Sequence, residues 1–315
     1  MVEKVRLGRT DLIVHPIGLG ANKISAADPD THTEYGGDVI LAGIENGMNF
    51  IDTAFIYGRG ESETIIGKTL KENQLRKEIV IATKGAHQEV NGEIQLNNHP
   101  DFLTQQVEDS LSRLQTDYID LYYIHFPDED TPKAEAVGAL ARLKEQGKIR
   151  AIGVSNFSLE QLKEANVDGH VDVVQDEYNL LNQSAEENFF PYFKEKEISF
   201  IPYFPFASGL LAGKYDQDTH LSDRQKQRPQ FQEPTYSDIL NRMDKLKTLE
   251  KKYDTGIQNI VLAYYLSQEP VNAVIPGARN RQQMLENLHA ATIQLDSEDR
   301  AFIESVFPKD YRLNK

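Results

Sequence analysis

Four side chains with complementary acid–base chemistry stand where short apolar runs of the sequence end. Asp52 and Tyr57 lie in FIDTAFIYG, Lys84 ends IVIATK, and His125 ends IDLYYIH. A lysine charge beside a phenol favours the phenolate and lowers the tyrosine pKa, and Asp52 can hold that lysine charged. Tyr57 is then expected to act as general acid or base, while His125 donates a hydrogen bond to a carbonyl oxygen. This set can protonate a reduced carbonyl but carries no hydride, so a redox cofactor must supply one.

Taken singly, each of these residues has an ordinary explanation as a solvated strand end, a helix cap or an aromatic lid. Together they indicate a site, because three separate apolar runs deliver groups that complement one another. Such runs alternate with helical patterns almost throughout the chain, which predicts parallel strands linked by helices. The predicted strands cover 17–19, 50–53, 79–83, 119–124, 150–154, 171–175, 199–202 and 273–275.

Eight strand–helix units predict an α/β fold, a closed (β/α)8 TIM barrel with its active site at the C-terminal ends of the strands. We assign residues 1–315 to this single domain, with an N-terminal β-hairpin (5–7 and 12–15) and an extra C-terminal helix (297–307) outside the barrel. Ser158 and Gln161 predict a helix-starting capping box. Further helices are predicted at 39–46, 61–71, 102–114 and 134–146. The long connections, 21–38, 85–101 and 206–236, are expected on the active-site face.

Composition excludes several classes of protein and partner. The 315 residues include no cysteine, so disulfides and thiolate metal sites are excluded. The eight histidines form no i, i+4 pair, and we therefore expect no metal site. A net charge of −15 argues against nucleic acid or an anionic membrane as the main partner. The N-terminus has no apolar signal-peptide core, and a cytoplasmic, monomeric protein is expected.

Further polar groups on the same face suit a nicotinamide cofactor. Ser155 and Asn156 end the fifth predicted strand and Gln175 lies on the sixth, where hydroxyl and amide groups can bind a carboxamide. Tyr203 can stack on a flat ring. The cofactor phosphates need a basic site in this acidic chain. The helix predicted to begin near Asn280 supplies one, with Arg279 and Arg281 beside it, and Gly277 permits a close approach of the backbone. Lys214 and Arg224, in the long connection 206–236, can close over the phosphates.

Two other glycine-rich segments resemble phosphate-binding loops but fail on spacing. Gly18-Leu19-Gly20 lacks the third glycine of a dinucleotide fingerprint, and the segment from Gly60 to Thr69 has too long a spacer for a Walker A loop. A Rossmann domain is therefore not predicted.

Over nearly its whole length the sequence resembles the aldo-keto reductases. The resemblance rests on FIDTAFIYG, IATK, DLYYIHFPD, KIRAIGVSNF, VVQDEYNLLN, IPYFPFASGLLAGKY and IPGARNRQQMLEN. Through HFPDEDTPK and FIPYFPFASGLLAGKY it is similar to the bacterial IolS-like reductases of inositol operons. The resemblance implies carbonyl reduction with NADPH and a catalytic tetrad of Asp52, Tyr57, Lys84 and His125.

The resemblance also implies a cofactor site and a substrate site. The cofactor positions are Gly20, Ala21, Asn22, Ser155, Asn156, Gln175, Tyr203, Pro205, Phe206, Ala207, Ser208, Gly209, Leu211, Lys214, Arg224, Gly277, Ala278, Arg279, Gln283, Glu286 and Asn287. The substrate positions are Asn22, Tyr57, His125 and Phe126. Phe204 replaces the serine of many members, Phe126 replaces Trp or Arg, and Gln283 replaces an arginine of mammalian members. The last change leaves the choice between NADPH and NADH open.

Two rival functions are compatible with parts of the pattern. A class I aldolase would use Lys84 as a Schiff-base nucleophile, but Asp52 should keep that lysine charged. A cofactor-binding redox sensor with little turnover, in the manner of potassium-channel β subunits, would keep the same four residues. The physiological carbonyl substrate does not follow from the sequence, because it depends on the three long connections.

Overall fold

A computed structural model describes residues 2–26 and 33–311. Its strands are β1 (Val5–Arg6), β2 (Ile13–Val14), β3 (Leu19–Gly20), β4 (Phe50–Asp52), β5 (Val80–Gly85), β6 (His87–Val90), β7 (Glu93–Leu96), β8 (Ile119–Ile124), β9 (Ile149–Ser155), β10 (Val173–Glu177) and β11 (Ser199–Tyr203). Seven of them form one parallel sheet in the order β11–β10–β9–β8–β5–β4–β3.

The segment that contains the predicted eighth strand, 273–275, closes this sheet into a barrel. It forms isolated parallel bridges rather than a continuous ladder, pairing Val274 with Ile17 and Gly277 with Gly20 on one side. On the other side Val271 pairs with Phe200 of β11. The predicted (β/α)8 architecture is confirmed, and each β-strand end predicted to carry chemistry lies on one rim.

The helices lie outside the sheet. They are α1 (Gly36–Glu45), α2 (Glu61–Glu72), α3 (Pro100–Leu114), α4 (Lys133–Glu145), α5 (Leu159–Ala165), α6 (Ala185–Asn188), α7 (Phe190–Lys196), α8 (Asp223–Lys226), α9 (Thr235–Leu246), α10 (Thr248–Tyr253), α11 (Ile257–Leu266), α12 (Arg281–His289) and α13 (Ser297–Val306). The predicted terminal helix is α13, which packs against α9. None of the helices in the described ranges combines the length and apolar character needed to cross a bilayer.

The β1–β2 hairpin closes the barrel at the end opposite to the site. Leu7, Leu12 and Val14 are buried in one cluster with the inward side chains of the barrel strands. Gly8 packs so closely that a Cβ atom there would lie 2.3 Å from the carbonyl oxygen of Asp172, and its φ is +51°. Glycine is therefore required at this turn.

Local boundaries differ from the prediction where packing overrides sequence pattern. Helix α1 begins at Gly36 rather than at residue 39. The sequence pattern does not predict this earlier start, because Gly36 and Gly37 have low helix propensity. A Cβ atom on Gly36 would lie 2.5 Å from Ile24 Cγ2, so close packing needs the glycine. The predicted strand 171–175 is β10, shifted by two residues. The capping box of Ser158 and Gln161 is confirmed.

Two of the long connections contain structure that the prediction missed. The connection 85–101 holds the antiparallel hairpin β6–β7, and the connection 206–236 holds α8, which starts at a second capping box of Ser222 and Gln225. The predicted connection 21–38 falls partly on 27–32, outside the described residues.

Candidate active site

The barrel brings the four predicted acid–base side chains together at the C-terminal rim. Asp52 ends β4, Lys84 lies in β5, His125 directly follows β8, and Tyr57 lies in the turn after β4. Lys84 Nζ lies 5.4 Å from the centroid of the Tyr57 ring. The rings of Tyr57 and His125 meet edge to face with their centroids 6.2 Å apart.

Lys84 and Asp52 form a buried ion pair beneath Tyr57. Their side chains are 0% and 1% exposed, and Lys84 Nζ donates both to Asp52 Oδ1 and, at 2.8 Å, to the carbonyl oxygen of Thr53. Gln175 Nε2 donates to the other oxygen of Asp52 at 2.8 Å. Burial alone would lower the pKa of Lys84, but the charges of Asp52 and Tyr57 outweigh it and raise that pKa. The lysine is therefore held charged and fixed in place.

The turn that presents Tyr57 has a left-handed backbone. Gly58, Arg59 and Gly60 all have positive φ, at 63°, 52° and 93°. A Cβ atom on Gly60 would lie 2.6 Å from Arg113 Cδ, so the turn also packs closely. Non-glycine residues in this conformation, such as Arg59, are uncommon and occur where the surrounding structure requires them.

The prediction that Lys84 lowers the pKa of Tyr57 below its ordinary value is wrong in its net direction. Burial raises the pKa of Tyr57, and the charge and hydrogen bond of Lys84 act in the opposite direction without cancelling it. Tyr57 is therefore a protonated phenol at neutral pH. Lys84 still acts as expected on the phenolate, because its charge favours that form.

His125 is enclosed and uncharged. Burial, together with the charges of Lys84 and His87, lowers its pKa well below the ordinary value. Its Nδ1 atom is enclosed without a hydrogen-bond partner. An enclosed N–H without an acceptor is costlier than an enclosed lone pair, so the proton is assigned to Nε2. His125 can thus donate a hydrogen bond as a neutral imidazole.

The side chains predicted to bind a carboxamide and a flat ring lie beside these four. Asn156, at φ 62°, donates from Nδ2 to the carbonyl oxygen of His125 and to Ser155 Oγ, both at 3.0 Å. The hydroxyl of Tyr203 donates to Asn156 Oδ1 at 2.8 Å. The ring of Tyr203 is therefore fixed by a hydrogen bond at its edge. Gln175 is 2% exposed and one of its N–H groups is already bonded to Asp52.

The turn after β11 has an unusual backbone. Positive φ occurs at Phe204 (60°), Ala207 (46°), Ser208 (65°) and Gly209 (92°). Strained backbone of this kind clusters at ligand-binding sites. The predicted cofactor residues of this segment, Pro205, Phe206, Ala207, Ser208, Gly209 and Leu211, are all in this turn. Arg228, which the sequence analysis missed, donates to Ser208 Oγ and reaches this turn from the long connection.

A second predicted group assembles where the first and last strands of the barrel meet. Gly20 pairs with Gly277, and a Cβ atom on Gly277 would lie 3.3 Å from Asn22 Oδ1. Asn280 caps α12 by accepting from the N–H of Gln283. The neighbouring positions Ala21 and Ala278 are buried, Asn287 donates to the Gly277 carbonyl, and Glu286 accepts from Gln282.

Three cations form a basic cluster at this junction: Lys23, Arg224 and Arg279. Burial lowers the pKa of Lys23, and the charges of Arg279 and Arg224 lower it further. Lys23 was missed in the sequence analysis, because only the fold brings it to the arginines. Arg281, expected to flank the same site, is instead paired with Glu34 at 2.8 Å. Lys214 is exposed and makes no ion pair among the described residues.

A cavity of about 440 Å³ lies beside the four acid–base side chains rather than over them. Its lining includes Tyr203 and Phe204 at the end of β11, and Arg228 and Gln230 of the long connection 206–236. Asp176 adjoins Glu177 of its wall, and burial together with the Glu177 charge raises the pKa of Asp176 to about 6. The cavity extends the rim beyond Tyr203.

Known proteins resemble this chain over nearly all of its length. The model of the Aldo/keto reductase family matches residues 16–307. Aldo-keto reductase YhdN of Bacillus subtilis (strain 168) is 33% identical, over 97% of this chain and 93% of its own. The NADH-specific methylglyoxal reductase of Escherichia coli (strain K12) is 31% identical, over 97% and 98%.

Solved structures share the fold. The glycerol dehydrogenase AKR11B4 from Gluconobacter oxydans superposes with a TM-score of 0.88 at 30% identity, covering 96% of this chain and 94% of its own. An aldo/keto reductase from Klebsiella pneumoniae, solved in complex with NADP and acetate, has a TM-score of 0.74 at 26% identity and covers 100% and 98%.

Proposed function

The chain belongs to the aldo/keto reductase family, whose members are nicotinamide-dependent oxidoreductases that reduce carbonyl groups, and we propose that it uses NADPH and that Tyr57 is its general acid. The substrates are aldehydes or ketones, which become alcohols. One observation carries the proposal: the phenol of Tyr57 lies over the buried Lys84–Asp52 ion pair and against the imidazole of His125.

Tyr57 has the proton that carbonyl reduction requires. Its raised pKa keeps the phenol protonated at neutral pH, so it is ready to donate to the oxygen of the substrate. The phenolate left behind is stabilised by the charge of Lys84, which Asp52 holds in place. His125 donates a hydrogen bond from Nε2 to the same oxygen as negative charge develops there.

The residues present fit a nicotinamide cofactor. Ser155, Asn156 and Gln175 would hold the carboxamide, and Tyr203 would stack on the ring. The strained turn at 204–211 would hold the phosphates through backbone N–H groups. NADPH supplies the hydride for the reduction.

The basic cluster favours NADPH over NADH. Burial is the main cause of the lowered pKa of Lys23, and the charges of Arg279 and Arg224 lower it further, so both arginines act on Lys23 as like charges. A 2′-phosphate bound among them would relieve this repulsion, whereas NADH has no group to do so. The NADP-bound reductase from Klebsiella pneumoniae supports this choice. The NADH-specific relative from Escherichia coli shows that similar chains also take the other cofactor.

The proposal is tested by NADPH oxidation at 340 nm with a panel of aldehydes and ketones, repeated with NADH. Turnover that depends on Tyr57 and is faster at low NADPH than at equal NADH supports it. Tight NADPH binding with no turnover on any carbonyl would instead favour the sensor function.

We further propose that residues 1–315 form one monomeric domain of the IolS-like subgroup, which HFPDEDTPK and FIPYFPFASGLLAGKY support. Light scattering on the purified protein tests the monomer.

A further inference from the structure

A second imidazole stands against the active-site histidine. The rings of His87 and His125 meet edge to face at 80°, with their centroids 4.9 Å apart. His87 also contacts Phe126, at 5.7 Å between ring centroids. His87 begins β6, three residues after Lys84. Both rings that His87 contacts belong to predicted substrate positions, yet carbonyl reduction as described above does not use His87.

The same nitrogen, Nδ1, is enclosed in both rings. Nδ1 is enclosed in both His87 and His125 and lacks a hydrogen-bond partner, whereas Nε2 is enclosed in neither. The lone pair belongs on the enclosed nitrogen, since an enclosed N–H without an acceptor is the costlier arrangement. Each neutral ring therefore offers an Nε2–H donor on its open side.

The hairpin face that carries His87 is turned toward the turn of Tyr57. His87 pairs with Leu96, and Glu89 with Ile94, so these four side chains share one face. Glu89 forms an ion pair at 3.3 Å with Arg59, two residues beyond Tyr57. Leu96 offers no hydrogen bond and Glu89 is engaged with Arg59. Of the four side chains on this hairpin face, His87 therefore carries the hydrogen-bond donor.

We propose that His87 is a second hydrogen-bond donor to the substrate, and that the protein prefers carbonyl compounds with an oxygen on the neighbouring carbon. This inference rests on the proposed function, since His125 and Tyr57 bind the carbonyl oxygen there. The two oxygens of such a compound lie on neighbouring carbons, and the two imidazoles proposed to donate to them are in contact, with their ring centroids 4.9 Å apart. The substrate class is α-hydroxy aldehydes, α-hydroxy ketones and α-dicarbonyls.

The test compares two aldehydes of equal chain length, glyceraldehyde and propanal, in NADPH-dependent reduction. His87→Phe keeps a ring against His125 and removes the donor. It should lower kcat/KM for glyceraldehyde by about 3–10-fold relative to propanal, the effect of one neutral hydrogen bond. His87→Gln, which restores an N–H at similar reach, should recover most of the ratio.

Gln95→Ala is the matched control, because Gln95 is exposed on the opposite face of the same hairpin and pairs with Gln88. It should leave the ratio unchanged. If His87→Phe lowers kcat/KM equally for both aldehydes, or for neither, the ratio is unchanged and the inference is overturned. Turnover of propanal would still leave the proposed function intact. If the unaltered protein oxidises NADPH with neither of these aldehydes nor any other carbonyl of the panel, the proposed function is overturned, and this inference with it.

Discussion

The Nζ atom of Lys84 lies 5.4 Å from the centroid of the Tyr57 ring, and Lys84 cannot move without breaking buried hydrogen bonds. Lys84 is fully enclosed and is tied to Asp52 and to the Thr53 carbonyl. The positive charge is thus positioned before any substrate arrives. Electrostatic stabilisation is most effective when the charge is fixed and water is excluded, as here.

Replacing Lys84 by Met should change both the pH profile and the stability. The charge of Lys84 opposes the rise in the pKa of Tyr57 that burial causes, so without Lys84 the pKa should rise further and the alcohol-oxidising direction should slow and shift to higher pH. Asp52, 1% exposed, would lose its ionic partner, which costs about 3–5 kcal/mol for a buried pair. Alcohol oxidation with NADP⁺ across pH 7–10 and urea unfolding measure the two effects.

The double variant Lys84→Met/Asp52→Asn separates the two effects. It removes the unpaired charge and should recover stability, while the pH profile stays displaced. A single variant with measurable activity and an unshifted profile would show that Lys84 and Tyr57 do not interact.

Arg279→Ala should weaken NADPH binding selectively. One charge-assisted hydrogen bond contributes about 1.5–3 kcal/mol, so the dissociation constant should rise by about 10–150-fold. NADH, without the 2′-phosphate, should change much less. Titration of both cofactors by tyrosine fluorescence suits this chain, which has 14 tyrosines and no tryptophan.

Arg281→Ala is the control for that variant, because Arg281 is already paired with Glu34. It should affect NADPH binding less than Arg279→Ala does. Added salt should reproduce part of the Arg279 effect, since exposed charges are screened. Equal losses for NADPH and NADH in Arg279→Ala would place the 2′-phosphate elsewhere.

Acid should destabilise the protein through its enclosed histidines. Burial lowers the pKa of His125 well below its ordinary value of 6.5, so the unfolded chain binds a proton that the folded chain does not. The contribution of the uncharged His125 to the free energy of unfolding is complete above about pH 6.5. It is lost as the pH falls, by at most about 1.4 kcal/mol per pH unit. Urea unfolding of the unaltered protein and of His125→Asn, from pH 8 to 5.5, measures this.

The free energy of unfolding of His125→Asn must be subtracted from that of the unaltered protein, because Asp176 titrates in the same pH range and changes the stability in the opposite direction. Its pKa is raised to about 6 by burial, so protonation on acidification favours the fold. Subtraction removes this contribution. Equal slopes in both proteins would show that His125 titrates normally.

Much of the architecture follows from local pattern. The apolar runs before Asp52, Lys84 and His125 identify their strands, and parallel strands bring their ends to one rim. The Asn91-Gly92 pair is a local sequence signal for the β6–β7 hairpin, which the sequence prediction did not include. The two residues lie between paired Val90 and Glu93, and both have positive φ, as a two-residue hairpin turn requires.

Other features depend on packing that no local pattern contains. Lys23 lies near Arg279 because the first and last strands of the barrel meet, and Arg224 comes to Lys23 from the connection after β11. The net rise in the pKa of Tyr57 depends on burial, which outweighs the lysine charge that the sequence makes obvious. The contact of His87 with His125 depends on the position of the β6–β7 hairpin, which the sequence prediction did not include.

The central claim is that Tyr57 donates the proton in carbonyl reduction, and Tyr57→Phe tests it most directly. The change keeps the ring and its packing and removes the transferable proton. We expect kcat to fall by about 10²–10⁴-fold, with the NADPH dissociation constant changed by less than about twofold. A Tyr57→Phe variant that binds NADPH normally and retains near-normal kcat would contradict the account.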